Sequence, residues 1–384
     1  MKITLFNDMS EEGFLSMDRY GRSLGAALRA SGLPDLEVTD FTTTFPGGPV
    51  PGFLRRFTGR YLKYPWQMQR SKAAVNHVTD HSYGFLTYFL PRRNCVVTCH
   101  DLAPLLAETP TLKSRIKKQV WKIALRGALR APFIITVSES TRRDILKYTG
   151  CPADRLHVVY NGLSERFGVL KDSTEYKAWE KAFREKHGIT EEKIVLHVGR
   201  YSPRKNFEGV LNAFAALTEL AARESAAGPG PVRLLQVGGE FTPEHQALIA
   251  RAGIGGRVTR IAFMPDEELP HVYNLASVFL FPSFYEGFGW PPLEAMACGI
   301  PVITSNTSSL PEVAGEAARL VGPEDTAGMA RALFEVLTDK QVAADLRKKG
   351  LERVKLFSWQ RCAEQTAEVY RKTALQQGRS KTKN

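Results

Sequence analysis

Short apolar runs alternate along the chain with longer stretches in which apolar residues recur every three or four positions. Residues 3–6 (ITLF) read as a strand, and residues 18–30 follow with a helical period. Cys95–Cys99 (CVVTC) and residues 133–137 (FIITV) are further strands. The second runs into Ser138, an N-cap for a helix over residues 139–147. Residues 156–160 form another strand, closed by the turn pair Asn161-Gly162. Then the rhythm stops. Residues 166–190 are mostly polar and helical in composition, with no buried strand, and are expected to link two domains. A second series opens with a strand at 194–198. The loop 199–205 leads into a helix capped by Asn206, with Phe207, Val210, Leu211, Phe214 and Leu217 on one face. Strands are expected at 233–237, 258–263, Val278–Phe281 and 301–304, and an amphipathic helix over 358–375. Such alternation indicates α/β architecture with parallel sheets covered on both faces. The chain thereby divides into an N-terminal domain, 1–165, the linker, and a C-terminal domain, 191–359. Ligands in such sheets sit at the carboxyl ends of strands, so the loops after strands carry the candidate chemistry.

Composition narrows the class. Apolar residues are 43% and charged residues 24%, near globular averages, which excludes disordered and collagen-like chains. No run reaches the ~18–20 uncharged apolar residues that span a bilayer. The first residues turn acidic after one short apolar run, unlike a signal peptide. Cys95, Cys99, Cys151, Cys298 and Cys362 are scattered, with no CxxC pair. That fits a reducing cytoplasm better than a disulfide framework or a zinc knuckle. The net charge is +12, and residues 51–130 account for all of it, with 15 Lys/Arg against Asp80, Asp101 and Glu108. Nucleic acid, an anionic membrane or a phosphorylated substrate would each suit that segment, as would a solvated basic face.

Two loops stand out. After the strand at 278–281, Glu286 is followed by Gly287-Phe288-Gly289, then Pro291 and Pro292, then Glu294 on the first turn of a short helix. Two glycines around an aromatic let backbone amides approach a ligand, and a helix N-terminus suits a diphosphate. Glu286 and Glu294 then suit sugar hydroxyls flanking that diphosphate. A lone Glu294 would be a helix-dipole residue and a lone Glu286 a solvated acid; the spacing with the GFG loop lifts both. The second loop is Gly199-Arg200-Tyr201-Ser202-Pro203-Arg204-Lys205-Asn206. Arg200 and Lys205 can both face a phosphate-sized anion, one as a planar fork and one as a point charge. The alternative is an exposed basic loop.

Taken together, Glu286 and Glu294 with seven residues between them, the GFG loop, LEAMACGIPVI, VGRYSPRKN and VVYNGL resemble the retaining family 4 glycosyltransferases of the GT-B class. TCHDLAPL, ITVSESTRRDIL, PDEELPHVYNLASVFLFPS, SSLPEVAGEAARLV and FSWQRCAEQTAEVYR extend the resemblance along most of the chain. It implies two Rossmann-like, doubly wound domains facing across a cleft. The first would take the acceptor and the second the nucleotide sugar, with the closing helix, about 360–384, packed back on the first. It also implies roles. Arg200 and Lys205 would bind the donor diphosphate beside Gly199. Glu286, with the amides of Gly287, Phe288 and Gly289, would contact the donor sugar. Glu294 would hold the ribose, His100 would approach the sugar from the other domain, and Gly238, Phe263 and Pro265 would lie near the base. The loop after the first strand matches poorly, with Gly13 and Ser16 its only candidates.

The implied reaction moves a hexose from GDP-mannose or a UDP-hexose to a glycan or lipid-linked acceptor in surface polysaccharide or glycolipid synthesis. The alternative acceptor is a small soluble molecule. Charge grows on the departing phosphate, where preorganised cations and amides act. No carboxylate nucleophile can be named, unlike in glycoside hydrolases; the family resemblance implies front-face displacement with retention. No metal or other cofactor is expected: there is no DxD, and the histidines do not cluster with metal-ligand spacing. His77 and His81 lack Cys or Glu partners nearby. A nicotinamide enzyme would need G-x-G-x-x-G after its first strand, where NDMSEEG stands. Nucleic acid is excluded as a partner because the basic segment carries no reading motif. Residues 53–72 and 113–130 interleave Phe53, Phe57, Tyr61, Tyr64, Trp66 and Trp121 with cations. That pattern suits a peripheral enzyme on the inner, anionic face of the cytoplasmic membrane.

Overall fold

The computed structural model describes residues 1–12, 15–45, 52–108, 110–190, 192–224 and 228–381; Gly13 lies outside them, and of Phe53 only the backbone is described. The chain forms two compact units, one of Met1–Gly162 with Phe357–Asn384 and one of Leu163–Leu356. Each is built on a six-stranded sheet.

In the first unit the strands are β1 (Lys2–Phe6), β2 (Glu37–Phe41), β3 (Val75–Val78), β4 (Cys95–Cys99), β5 (Phe133–Thr136) and β6 (Leu156–Val158), in the order β2-β1-β3-β4-β5-β6. In the second they are β7 (Lys193–Val198), β8 (Val232–Val237), β9 (Val258–Ile261), β10 (Val278–Phe281), β11 (Val302–Ser305) and β12 (Ala318–Val321), in the order β12-β11-β10-β7-β8-β9. Every pairing is parallel. Counted within each unit, the orders are 2-1-3-4-5-6 and 3-2-1-4-5-6, the two common doubly wound arrangements. The α/β expectation holds in both units.

In the second unit the helix Phe207–Arg223 starts at Asn206, whose side chain accepts the Gly209 N–H as expected. Its apolar face, Val210, Leu211, Phe214 and Leu217, is wholly buried against the sheet and the helix Thr326–Thr338. Each such side chain contributes roughly 1.5–3 kcal/mol. Phe214→Ala would cost about 3–5 kcal/mol.

Three strands escape the apolar pattern. β2 (EVTDF) is a half-exposed edge, and β12 (ARLV) exposes Arg319 and Leu320. β3 (VNHV) is the instructive one, because it is buried throughout yet carries Asn76 and His77. Its imidazole is satisfied at both ends, by Tyr370 OH on Nδ1 (2.7 Å) and Thr98 Oγ1 on Nε2 (2.8 Å). Burial holds that imidazole down at about 3. Tyr370 lies on the C-terminal helix, Trp359–Lys381. That helix also packs Trp359 near Tyr20 and pairs Arg371 with Asp35 at 2.9 Å.

Residues 166–190, expected as a linker, fold within the second unit. Their helix, Thr174–His187, stacks Trp179 on Phe183 at 4.7 Å and sets it 5.1 Å from His271. Asn274 fastens the segment before it, accepting from Leu170 N and donating to Gly168 O, both at 2.8 Å.

Candidate active site

In a doubly wound sheet, ligands bind where the strand order reverses. In the second unit that point lies between β7 and β10, which pair directly. The loops after these two strands are the two that stood out in the sequence. Phe284 N donates to Arg204 O (2.8 Å) and the Asn206 side-chain Nδ2 to Pro282 O (3.0 Å), so the loops are joined once backbone to backbone and once through a side chain.

Glu286 is their meeting point. It is buried, and its carboxylate accepts from Lys205 Nζ (3.0 Å), Arg204 Nη1 (2.8 Å) and Ser283 Oγ (3.0 Å). Burial by itself would raise the carboxyl. The Lys205 and Arg204 charges and their hydrogen bonds outweigh it and hold the group below the usual range. Lys205 also sits 4.8 Å over the Phe281 ring. Arg204 spans to Tyr285 O at 3.0 Å. The sequence named Arg200 and Lys205, and the structure adds Arg204. The adjacent Arg-Lys pair was visible, but the turn Pro203–Lys205 decides which cations face Glu286. Arg200 is exposed.

The glycines in these loops are demanded by close approach. Gly239, at φ 91°, would place a Cβ 3.0 Å from Tyr201 N. This brings the loop after β8, with Gly238, against the loop carrying Gly199 and Arg200. Gly289, at φ 111°, would place a Cβ 2.8 Å from Leu310. It opens the helix Trp290–Ala297, and Gly287, Phe288 and Gly289 are all buried. On that helix Glu294 is buried and accepts from Tyr273 OH at 2.8 Å. Tyr273 gave no signal in the sequence. Phe263 is 73% exposed and Pro265 half-buried.

In the first unit the strand order reverses between β1 and β3. His100 stands at the end of β4, buried, with Nε2–H donating to Thr79 O at 2.8 Å. Burial outweighs the nearby Asp80 and holds the imidazole neutral. Beside it lies a cluster that sequence reading passed over. Asp80 accepts from Ser82 N (2.9 Å) and pairs with His81 Nδ1 (3.0 Å). Burial would raise Asp80, but His81 pulls it far down; His81 is in turn raised, Asp80 outweighing its own burial. Asp8 is buried with no donor for either carboxylate oxygen among the described residues. Burial first, and Asp80 second, push its carboxyl well above its ordinary value. Arg60 completes the cluster, paired with Glu12 at 2.7 Å and lying 4.1 Å over Tyr83.

The basic segment divides in two. Arg60 and Tyr64 are turned inward. On the helix Leu112–Ala128, Trp121 and Leu125 also pack inward, while Leu112 (74%), Ile116 (56%), Val120 (41%) and Ile123 (51%) are exposed. At 100° per residue these four share one stripe. Lys113 and Lys117 flank one side of it, Arg115, Lys122 and Arg126 the other. No helix among the described residues is long and apolar enough to cross a membrane.

Comparison with known proteins converges on one family. Residues 180–353 match the glycosyl transferases group 1, and residues 25–166 match Glycosyltransferase Family 4. O-antigen chain mannosyltransferase B of Escherichia coli is 30% identical over 344 residues, 88% of this chain and 87% of that protein. Serotype-specific mannosyltransferase WbdA of Escherichia coli is 31% identical over 271 residues, 69% of this chain but 32% of that protein. Among solved structures, Anabaena Alr3699/HepE in complex with UDP and glucose superposes with a TM-score of 0.71 at 19% identity, covering 96% of this chain and 99% of that one. With its two doubly wound sheets and these matches along most of its length, the chain belongs to the family 4 glycosyltransferases of the GT-B class.

Proposed function

We propose that this glycosyltransferase moves a mannosyl residue, with retention, from a nucleotide diphosphate sugar to a growing surface polysaccharide carried on a lipid. The observation that carries the reading is the convergence of Lys205 and Arg204 on Glu286 at the strand-order reversal, beside a helix N-terminus. The mannosyltransferase names of two relatives support the sugar and the polysaccharide. The UDP and glucose held by Alr3699/HepE support a nucleotide-sugar donor.

In this reading, sugar hydroxyls donate to Glu286, whose carboxylate is kept ionised for that purpose. Their arrival replaces part of the Lys205 contact and frees the ammonium for the diphosphate. Arg200, already exposed, closes on the same anion. Glu294 takes the ribose hydroxyls, and Phe263 and Pro265 lie toward the base. Charge on the departing phosphate is met by Arg200, Lys205 and backbone amides from Gly287 to Gly289, fixed before the reaction starts. The departing phosphate oxygen takes the proton of the attacking hydroxyl on the same face, so the configuration is retained without a protein nucleophile. Arg200 and Lys205 supply the neutralising charge that a metal ion supplies elsewhere. His100, neutral and with Nε2–H engaged, offers Nδ1 as an acceptor to a sugar hydroxyl.

The acceptor is met at an anionic membrane surface, on the cytoplasmic side. The stripe Leu112, Ile116, Val120 and Ile123 enters the headgroup boundary, with its flanking cations at the phosphates. A panel of GDP-mannose, UDP-glucose and ADP-glucose, scored for nucleotide release with and without EDTA, tests the reaction. Release from GDP-mannose that survives EDTA is expected. A protein that neither binds nor turns over any nucleotide sugar, or that needs added metal, overturns the reading.

A further inference from the structure

Among the described residues two that are not glycine have left-handed backbone, Asn206 (φ 54°) and Ser308 (φ 50°). Both touch the loop that carries Glu286. Asparagine tolerates this region, and Asn206 gains three backbone contacts there, to Gly209 N (3.1 Å), Pro282 O (3.0 Å) and Pro323 O (2.6 Å). Serine has no such tolerance. A non-glycine residue held left-handed stores strain, and such strain persists only where the surroundings impose it.

The surroundings of Ser308 are unusual. It belongs to a run, Ser305-Asn306-Thr307-Ser308-Ser309, in which four hydroxyls bind the backbone of residues 283–288. Ser305 Oγ donates to Ser283 O, and Thr307 Oγ1 to Phe284 O at 3.1 Å. Ser309 Oγ reaches Glu286 O (2.9 Å) and Phe288 O (2.7 Å). These three engage carbonyl oxygens. Ser308 alone engages an N–H: its Oγ accepts from Glu286 N at 2.9 Å. The left-handed turn thus places a hydroxyl where it fixes the backbone from which the Glu286 side chain projects.

We infer that Ser308 is a positioning residue for Glu286, holding its carboxylate in the one orientation that meets the donor hexose. The inference rests on the reading of Glu286 as the ligand of the donor sugar. It acts through Glu286 and touches no substrate itself. Small misplacements of a group at the reacting centre are costly, on the order of 10²-fold for 1 Å.

Two substitutions separate positioning from folding. Ser308→Gly removes the Oγ but is at ease with the backbone, so a purely structural role predicts an equal or higher Tm and full activity. Ser308→Asn tolerates the same backbone and offers Oδ1 to the Glu286 N–H. With the donor that the wild type turns over, Ser308→Gly is expected to lose about 10-fold or more in kcat, with Tm held and nucleoside diphosphate affinity little changed. Ser308→Asn should recover most of that loss. In the ligand-free protein, hydrogen exchange at the Glu286 amide should speed up in Ser308→Gly and slow again in Ser308→Asn. Wild-type kcat in Ser308→Gly overturns the inference, and so does a fall in kcat without faster exchange at Glu286. If the wild type turns over no nucleotide sugar, the donor reading fails. Exchange at Glu286 then still decides whether Ser308 fixes that backbone.

Discussion

The two sheets reverse their strand order at different pairs of strands, and the charges placed there differ in kind. Between β7 and β10 stand Arg204 and Lys205 against one carboxylate, Glu286, with Arg200 exposed nearby. Cations exceed the one anion they share. Between β1 and β3 the charges cancel. Asp80 is met by His81, Glu12 by Arg60, and burial pushes the Asp8 carboxyl up toward its neutral form. A related fold therefore presents an anion-receptive point in one unit and an electrically closed one in the other. That contrast matches the proposed division between a diphosphate donor and an uncharged, hydroxyl-bearing acceptor.

The sharpest way to break this comparison is to open the closed cluster. Asp80→Asn breaks the buried pair with His81 and should cost on the order of 3–5 kcal/mol. Asp8→Asn should cost less, because burial already pushes that carboxyl toward its neutral form. Urea denaturation of both variants decides the matter, and equal losses would show that Asp8 is not pushed toward its neutral form.

In the open cluster the largest effect should fall on turnover. Lys205→Ala is expected to lower kcat by about 10²–10³-fold, the scale for removing one oxyanion donor. Arg204 still pairs with Glu286 in that variant, so folding should hold. Glu286→Ala should remove turnover as well. Glu294→Ala should instead act mainly on nucleoside diphosphate affinity, because ribose contacts are shared by substrate and product. Calorimetric titration of the three variants with GDP and UDP would blur the comparison if all three lost affinity alike.

Acid should expose the buried imidazoles of both units. The unfolded chain takes up their protons below about pH 6.5. In the folded protein burial holds His77 at about 3 and His197 at about 4, and lowers His100 too. The unfolded state binds more protons in that window, so stability falls as pH drops from about 6.5 toward 4. The slope is up to about 1.4 kcal/mol per pH unit for each histidine. His81 works the other way: its raised value adds stability in acid that is lost as pH rises past it. A flat profile of chemical denaturation between pH 6.5 and 4 would contradict the neutral assignments.

The smallest effects concern the exposed stripe. Each cation beside an anionic leaflet contributes about 1 kcal/mol. Co-sedimentation with phosphatidylglycerol vesicles at low salt should fall in steps with Lys113→Glu and Lys117→Glu, and with Ile116→Ser. Donor hydrolysis should be unchanged. Pelleting indifferent to lipid charge and salt would separate the protein from the membrane.

Much of this molecule is written locally. The strands after which ligands bind are short apolar runs, and Ser138, Asn206 and Gly289 mark the helix starts that follow them. Glu286, Glu294, Gly199 and Lys205 could be named because each lies within a few residues of such a boundary. What stayed hidden depends on contacts far apart in sequence. β3 passes as polar until Tyr370, 293 residues away, supplies the partner that lets His77 be buried. Arg204 and Lys205 acquire their direction only when Glu286, more than 80 residues on, closes on them. Trp121 and Ile123 look alike in a basic helix, yet packing turns one inward and leaves the other 51% exposed. Periodicity and turn chemistry are properties of neighbouring residues, so the sequence displays them directly. The charge state of a buried acid, the facing of a cation and the strain at Ser308 are set by groups that only the folded chain brings together.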